Sequence, residues 1–261
     1  MTEPKDWFFP ASIGAAVLVV GGGIAWYWLR GDAPAPETVV DVPAPAAETA
    51  APAPAPVTPP PAVVPRSLPL PALDESDADV LGGLTEAFGQ QNIMRFVVPE
   101  RLVRNIVVTI DNAPRELMAL NQRPIKPTPG QLATAGPEDA MILAPENYAR
   151  YEPFVAVVRT IDAKTLVALY RGLQPLFQQA YEELGHPDAS FNDRLVEVIE
   201  HLLATPNVPG EVRLVRPSVF YRYADERLEK LSAGQKLLVR MGPGNAALLK
   251  AKLREIQAEL L

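Results

Sequence analysis

"DAKTLVALYRGLQPLFQQAYEELG", residues 162–185, is the stretch whose reading decides the fold class. Leu166, Leu169, Tyr170, Leu173, Leu176, Phe177, Ala180, Tyr181 and Leu184 recur at the 3.6-residue period that gives a helix one apolar face. Asp162 stands where an N-cap accepts the first free backbone N–H groups, and Gly185 stands where a helix stops. The spacing predicts one long helix over 163–184. Pro175 removes the bond to the Arg171 carbonyl and predicts a kink there.

Working outward, the same periodicity predicts helices over 77–88, 99–112, 146–160, 189–204, 225–240 and 244–260. Pro99 suits a first helical turn, and "SFND" at 190–193 has the spacing of a capping box ahead of "RLVEVIEHLL". In "QLATAGPEDAMIL" (131–143) and "VRLVRPSVFY" (212–221), alternating or β-branched residues flank turn residues, which predicts one or two minor β-hairpins. The fold class is therefore mainly α, with residues 74–261 forming one helical globular domain. About 185 residues is within the usual range for a single core.

N-terminal to that domain the chain changes character twice. From Phe8 to Leu29 there is no charged residue, and "IGAAVLVVGGGIAWYWLR" (13–30) lacks the Lys-Ser/Thr or distal acid that a phosphate-binding glycine loop requires. The run matches the roughly 20 apolar residues that cross a bilayer, with Trp7, Phe8 and Phe9 at one end and Trp26, Tyr27 and Trp28 at the other, as in interfacial aromatic belts. It exceeds the apolar core of a removable export signal, and "MTEPKDW" is not a basic leader. Residues 8–29 are thus expected to be a single transmembrane helix after a short tail, 1–7, with the lipid bilayer as partner. Gly21 and Ala25 have the small-xxx-small spacing that weak homo-association of such a helix uses, although glycines simply tolerated in lipid are the favoured reading. Lys5 and Arg30 nearly balance the positive-inside count.

Residues 30–73 carry 13 of the 29 prolines, in runs such as "APAPAPVTPPPAVVP" (51–65), which form neither a helical ladder nor a core. This is a disordered Pro/Ala-rich linker. In the polyproline regime, at about 3.1 Å per residue, some forty residues reach up to ~120 Å from the membrane.

Charge narrows the function classes. Residues 74–261 keep 25 of the 31 acids and 21 of the 24 bases, a net of −4, which sets a nucleic-acid partner aside. Without cysteine there is no disulfide, haem attachment or thiolate metal site. GxSxG, HExxH and Walker motifs are missing as well. Asp193, Glu197 and His201 lie four residues apart on one helical face, a spacing for metal ligands or acid–base work. They fall opposite the apolar stripe Phe191, Leu195, Val198, Ile199 and Leu202, which favours a solvated polar face. His186, in "GHPD", reads as a turn residue; its pairing with Asp193 and a serine has no motif behind it. "MGPGN" (241–245) offers backbone amides to an anion or, more simply, starts a helix with Asn245 as cap.

No catalytic, cofactor-binding or metal-binding residue is assigned, and no cofactor is expected. A candidate interaction surface combines Tyr148, Arg150 and Tyr151 from "NYARYEPF" with Arg171, Gln174 and Gln178, because exposed aromatics and arginines anchor interfaces. Core packing of the same aromatics is the favoured alternative. "RPIKPTPG" (123–130) reads as an ordinary loop ahead of a docked, ligand-like segment.

The strings "NYARYEPFV", "LYRGLQPLFQQAYEELG", "FNDRLVEVIEHLLATP" and "SAGQKLLVRMGPGN", with the anchor and spacer, resemble the bacterial domain of unknown function family 3014, membrane-anchored proteins of Gram-negative bacteria. The resemblance implies a single-pass inner-membrane protein with its globular domain in the periplasm, and it transfers no reaction. Two functions follow as expectations. One is a non-catalytic envelope interaction or scaffold module, docking an envelope protein or cell-wall partner. The other is an envelope enzyme with a carboxylate/Arg site.

Overall fold

The structure, a computed structural model, describes residues 70–217 and 220–261. The expected span 8–29 and almost all of the expected linker lie outside the described residues. Among those described, no helix is long and apolar enough to cross a membrane.

The domain is mainly helical. Its helices are α1 (Asp77–Phe88), α2 (Gln90–Phe96), α3 (Leu102–Asn112), α4 (Glu146–Ala149), α5 (Glu152–Thr160), α6 (Ala163–Glu183), α7 (Phe191–Leu203), α8 (Glu226–Glu229), α9 (Ala233–Arg240) and α10 (Pro243–Leu260). A short 3-10 turn, Leu73–Glu75, precedes them and buries Leu73, so the packed unit starts about where the prolines thin out.

The two expected hairpins are present. Strand β1 (Thr134–Ala135) pairs antiparallel with β2 (Ile142–Leu143), and β3 (Leu214–Val215) with β4 (Arg222–Tyr223). An antiparallel bridge between Ile142 and Arg213 joins the two into one small patch.

Helix α6 is the axis. Its Asp162 cap accepts the Thr165 N–H at 2.7 Å, and the helix runs on through Pro175. Tyr170, Phe177 and Phe191 are fully buried, and Phe177 and Phe191 stack with centroids 5.6 Å apart. Helices α3 and α10 pack along α6, with α5 and α7 closing the bundle around them. Helix α3 is buried nearly all round, its polar Asn105, Thr109 and Asp111 included. A second, smaller core of Leu143, Val212, Leu214, Tyr223 and Val239 fills the hairpin patch. Helix α9 ties the two cores together, since Leu237 and Leu238 face the bundle and Val239 faces the hairpins.

Several boundaries differ from the sequence reading, each for a tertiary reason. Helix α3 starts at Leu102 because the Asp77 carboxylate of α1 accepts the Arg101 and Leu102 N–H groups at 2.6 and 2.8 Å, with Arg101 held left-handed. Residues 146–160 and 225–240 each break into two helices, the second break at Ser232. There Ser232 and Gln235 close a reciprocal capping box. At Ser190 the serine oxygen accepts the Asp193 N–H at 3.2 Å. Helix α10 begins at Pro243 after Gly242, whose positive φ places it outside the helix. Asn245 is not the cap: its amide donates to the Tyr148 and Met241 carbonyls.

Candidate functional site

The residues able to do chemistry gather where the end of α3 meets the turn between α6 and α7. Asp111, near the end of α3, has a side chain only 4 % exposed. The Arg194 guanidinium on α7 donates Nε to its carboxylate at 3.1 Å and Nη2 to its carbonyl at 2.9 Å. Arg115, one turn along the chain, donates to the other carboxylate oxygen. A carboxylate this deep requires such partners, because an unpaired buried charge costs several kcal/mol. Burial works against the Arg194 charge, while Glu197 and Asp111 outweigh it and raise its pKa.

His186 completes the ring. It lies in the turn after α6, stacks on Tyr181 with centroids 4.5 Å apart, and brings Nε2 to 3.8 Å from Asp111 Oδ2. Above these groups opens a cleft of about 700 Å³, rimmed by Asp188, Asp193 and Glu197. Asp193 and Glu197 are exposed, as the solvated-face reading expects, and Glu197 accepts from Arg194 at 2.9 Å.

His201 leaves that face. Its Nε2 lies 2.8 Å from the Ser232 hydroxyl, and its own carbonyl accepts from Gln235 Nε2 at 3.0 Å. Burial, with the Arg194 charge, lowers its pKa below the usual imidazole value. Asp193, Glu197 and His201 therefore do not converge, and among the described residues no group of three or more His, Asp and Glu side chains is placed to hold a metal ion. The His201–Ser232 contact resembles a nucleophile and base, but the Ser232 oxygen is buried and already accepts the Gln235 N–H. It is a helix cap shared with α7. Sequence reasoning missed this pair and the Asp111–Arg194 pair. The second spans 83 positions, and no local pattern connects them.

Within the candidate interaction surface Arg150 lies over the Tyr151 ring, 5.9 Å from its centroid, while Tyr148, Arg171 and Gln178 each contact other parts of the domain. Tyr151 is buried at 3 % exposure. Half-buried Tyr148 covers Gly242 so closely that a Cβ there would meet its ring at 2.6 Å. Arg150 clamps the 123–130 loop, donating to the Pro129 and Gly130 carbonyls at 3.0 and 2.7 Å. Arg171 donates to the Glu259 carbonyl at 2.8 Å, at the open end of α10. Gln178 donates to the Ala189 carbonyl and accepts from the Phe191 N–H, both at 2.9 Å, which holds the α6–α7 turn. Gln174 is half-buried. In the 123–130 loop, Ile125 bridges Val97 and is buried, so that loop packs onto the domain itself.

Fold and cleft together define a helical bundle with an appended hairpin patch and a charged cleft at one helix junction. The chain belongs to the family described as Protein of unknown function (DUF3014), whose model matches residues 102–257. That span runs from the first residue of α3 into the last turn of α10 and includes the smaller core and the whole cleft, while Leu73, Val80, Leu84, Phe88, Ile93 and Val97 of the main core lie ahead of it. No curated protein and no solved structure matches the chain.

Proposed function

We propose that this protein is a single-pass protein of the bacterial inner membrane that presents a non-catalytic docking module on a Pro-rich spacer, in the periplasm, to an envelope protein or cell-wall partner. The uncharged run 8–29 supports the anchor and the proline-rich 30–73 segment supports the spacer. The observation that carries the docking reading is how the reactive groups are held. Both oxygens of Asp111 are closed by guanidinium groups and the Ser232 oxygen caps α9, so these side chains pin helices together.

The test places a photo-crosslinking residue in the intact membrane protein at Glu197, Arg171 or Ala247, one per variant. A discrete adduct from one face supports docking, and an adduct from Arg171 or Ala247 is retained when Asp193 and Glu197 are both changed to Ala. Adducts from no position sink it. Anchoring is checked separately: the intact chain resists carbonate extraction, and a reporter fused after Leu261 is active only outside the cytoplasm.

One observation favours the second reading, an envelope enzyme with a carboxylate/Arg site: His186 lies 3.8 Å from the buried Asp111 at the base of an open cleft. If a His186→Ala chain restores a deletion strain as fully as the natural sequence does, that reading fails.

A further inference from the structure

A second depression lies on another part of the domain. It is a groove of about 340 Å³ between the start of α10, the end of α9 and the residues that follow α7. Leu238, Val239, Ala246 and Ala247 give it an apolar floor. Lys250 stands on its α10 wall, one turn beyond Ala246, and its Nζ donates to the carbonyl of Thr205, which lines the groove from the α7 side. The amine is thereby held between two walls of the groove.

The lysines among the described residues fall into three kinds. Lys126, Lys164 and Lys230 are exposed, where water stabilises the ammonium. Lys236 and Lys252 are buried, and each keeps its proton beside a carboxylate, Glu229 and Glu255 respectively. Lys250 is half-buried, forms no ion pair among the described residues, and has the like charge of Arg254 one turn further along α10. Withdrawal from water and a neighbouring cation both disfavour an ammonium. Burial first, and then Arg254, lowers the Lys250 pKa below the ordinary lysine value. The neutral amine is the nucleophilic form of lysine, and an apolar pocket or an adjacent cation is what produces it.

The groove also limits what such an amine meets. Its volume is at the small end of ligand sites, and its floor suits a short alkyl chain. Amines of this kind condense with carbonyl compounds. The Nζ lone pair adds to the carbonyl carbon, and the C=O π pair moves to oxygen, which takes up a proton. Nζ then releases its protons as the C=N bond forms, and the oxygen leaves as water. No oxidant or reductant is consumed, and an uncharged imine no longer opposes Arg254.

Beyond the docking reading and independent of it, we propose that Lys250 is a covalent attachment site for small aliphatic aldehydes, joined as an imine at Nζ with the alkyl chain on the Leu238–Ala247 floor. The full chain in detergent micelles is treated with butanal and cyanoborohydride near pH 7, and the alkylated lysines are quantified by peptide mass spectrometry. Lys250 is expected to react about fivefold faster than the exposed Lys164 and Lys230, which serve as references within the same molecule. Formaldehyde, with no chain for the floor, shows a smaller preference for Lys250. Ala247→Trp fills the groove and abolishes the preference, while Arg254→Gln reduces it; both positions are exposed, and thermal melts verify that the variants fold. Equal or slower reaction of Lys250, an undiminished preference in Ala247→Trp, or the same preference with formaldehyde overturns the proposal.

Discussion

His201 Nε2 and the Ser232 hydroxyl lie 2.8 Å apart, across 31 positions of sequence, and join α7 to the start of α9. The serine oxygen also accepts the Gln235 N–H, so one hydroxyl serves a helix cap and an interhelical contact. Ser232→Ala is expected to cost about 1 to 2 kcal/mol, the upper range for a lost N-cap, measured by chemical denaturation.

The same contact has a pH signature. His201 has a folded pKa lowered from the usual 6.5 by burial, so the fold favours its neutral form. The stability this contributes is present above pH 6.5 and is lost as pH falls through the folded value. His201→Gln cannot titrate there. The stability gap between the natural chain and His201→Gln should narrow as pH falls below 6.5, and a gap constant across that range would remove the neutral, buried imidazole from the account.

Asp111 tests whether its ionic cluster is a helix pin. Asp111→Asn leaves Arg194, with a side chain 19 % exposed, facing an uncharged group, and is expected to cost about 3 kcal/mol. Arg115→Ala removes a partner that is 56 % exposed, and should cost less than about 1 kcal/mol. Equal losses from the two substitutions would show that the buried pair does not dominate the cluster.

Three substitutions on α6 separate its faces. Phe177→Ala opens the aromatic core and should cost about 3 to 5 kcal/mol. Gln178→Ala should cost about 1 to 2 kcal/mol, because the Phe191 N–H and Ala189 carbonyl lose their shared partner. The sequence periodicity alone would place Gln178 among neutral surface sites. Arg171→Ala loses one exposed bond to the end of α10 and should stay within about 1 kcal/mol. A neutral Gln178→Ala would mean that the α6–α7 turn is held by its other contacts.

Two tyrosines set the alkaline limit. Burial pushes both Tyr170 and Tyr223 up to about 12, from the usual value of 10. Their protonated forms are favoured by the fold, so the associated stability is complete below pH 10 and is lost as pH rises toward 12. The Tyr223 hydroxyl, 3.1 Å from the Lys236 carbonyl, must then give up its donated bond. Phenolate absorbance should rise together with unfolding, and Tyr223→Phe should flatten part of the alkaline loss. Phenolate formation in the still-folded domain at the ordinary tyrosine value would contradict this burial account.

By itself the sequence determined the elements whose signals are local. Apolar spacing, the Asp162 and Ser190 caps and the turn residues around two short β-branched runs were enough for the α6 and α7 helices and both hairpins, because each depends on neighbours within a few positions. The family was legible for the same reason, since long contiguous strings carried the resemblance. Tertiary structure decided what depends on residues distant in sequence. Asp77 sets the start of α3 from 25 positions away, and Arg194 neutralises Asp111 across 83. It also sent His201 away from Asp193 and Glu197, although all three share a helical repeat. A helix brings residues four apart to a common face, but packing decides which neighbour each meets: His201 abuts the start of α9, while Asp193 and Glu197 open onto solvent above Asp111.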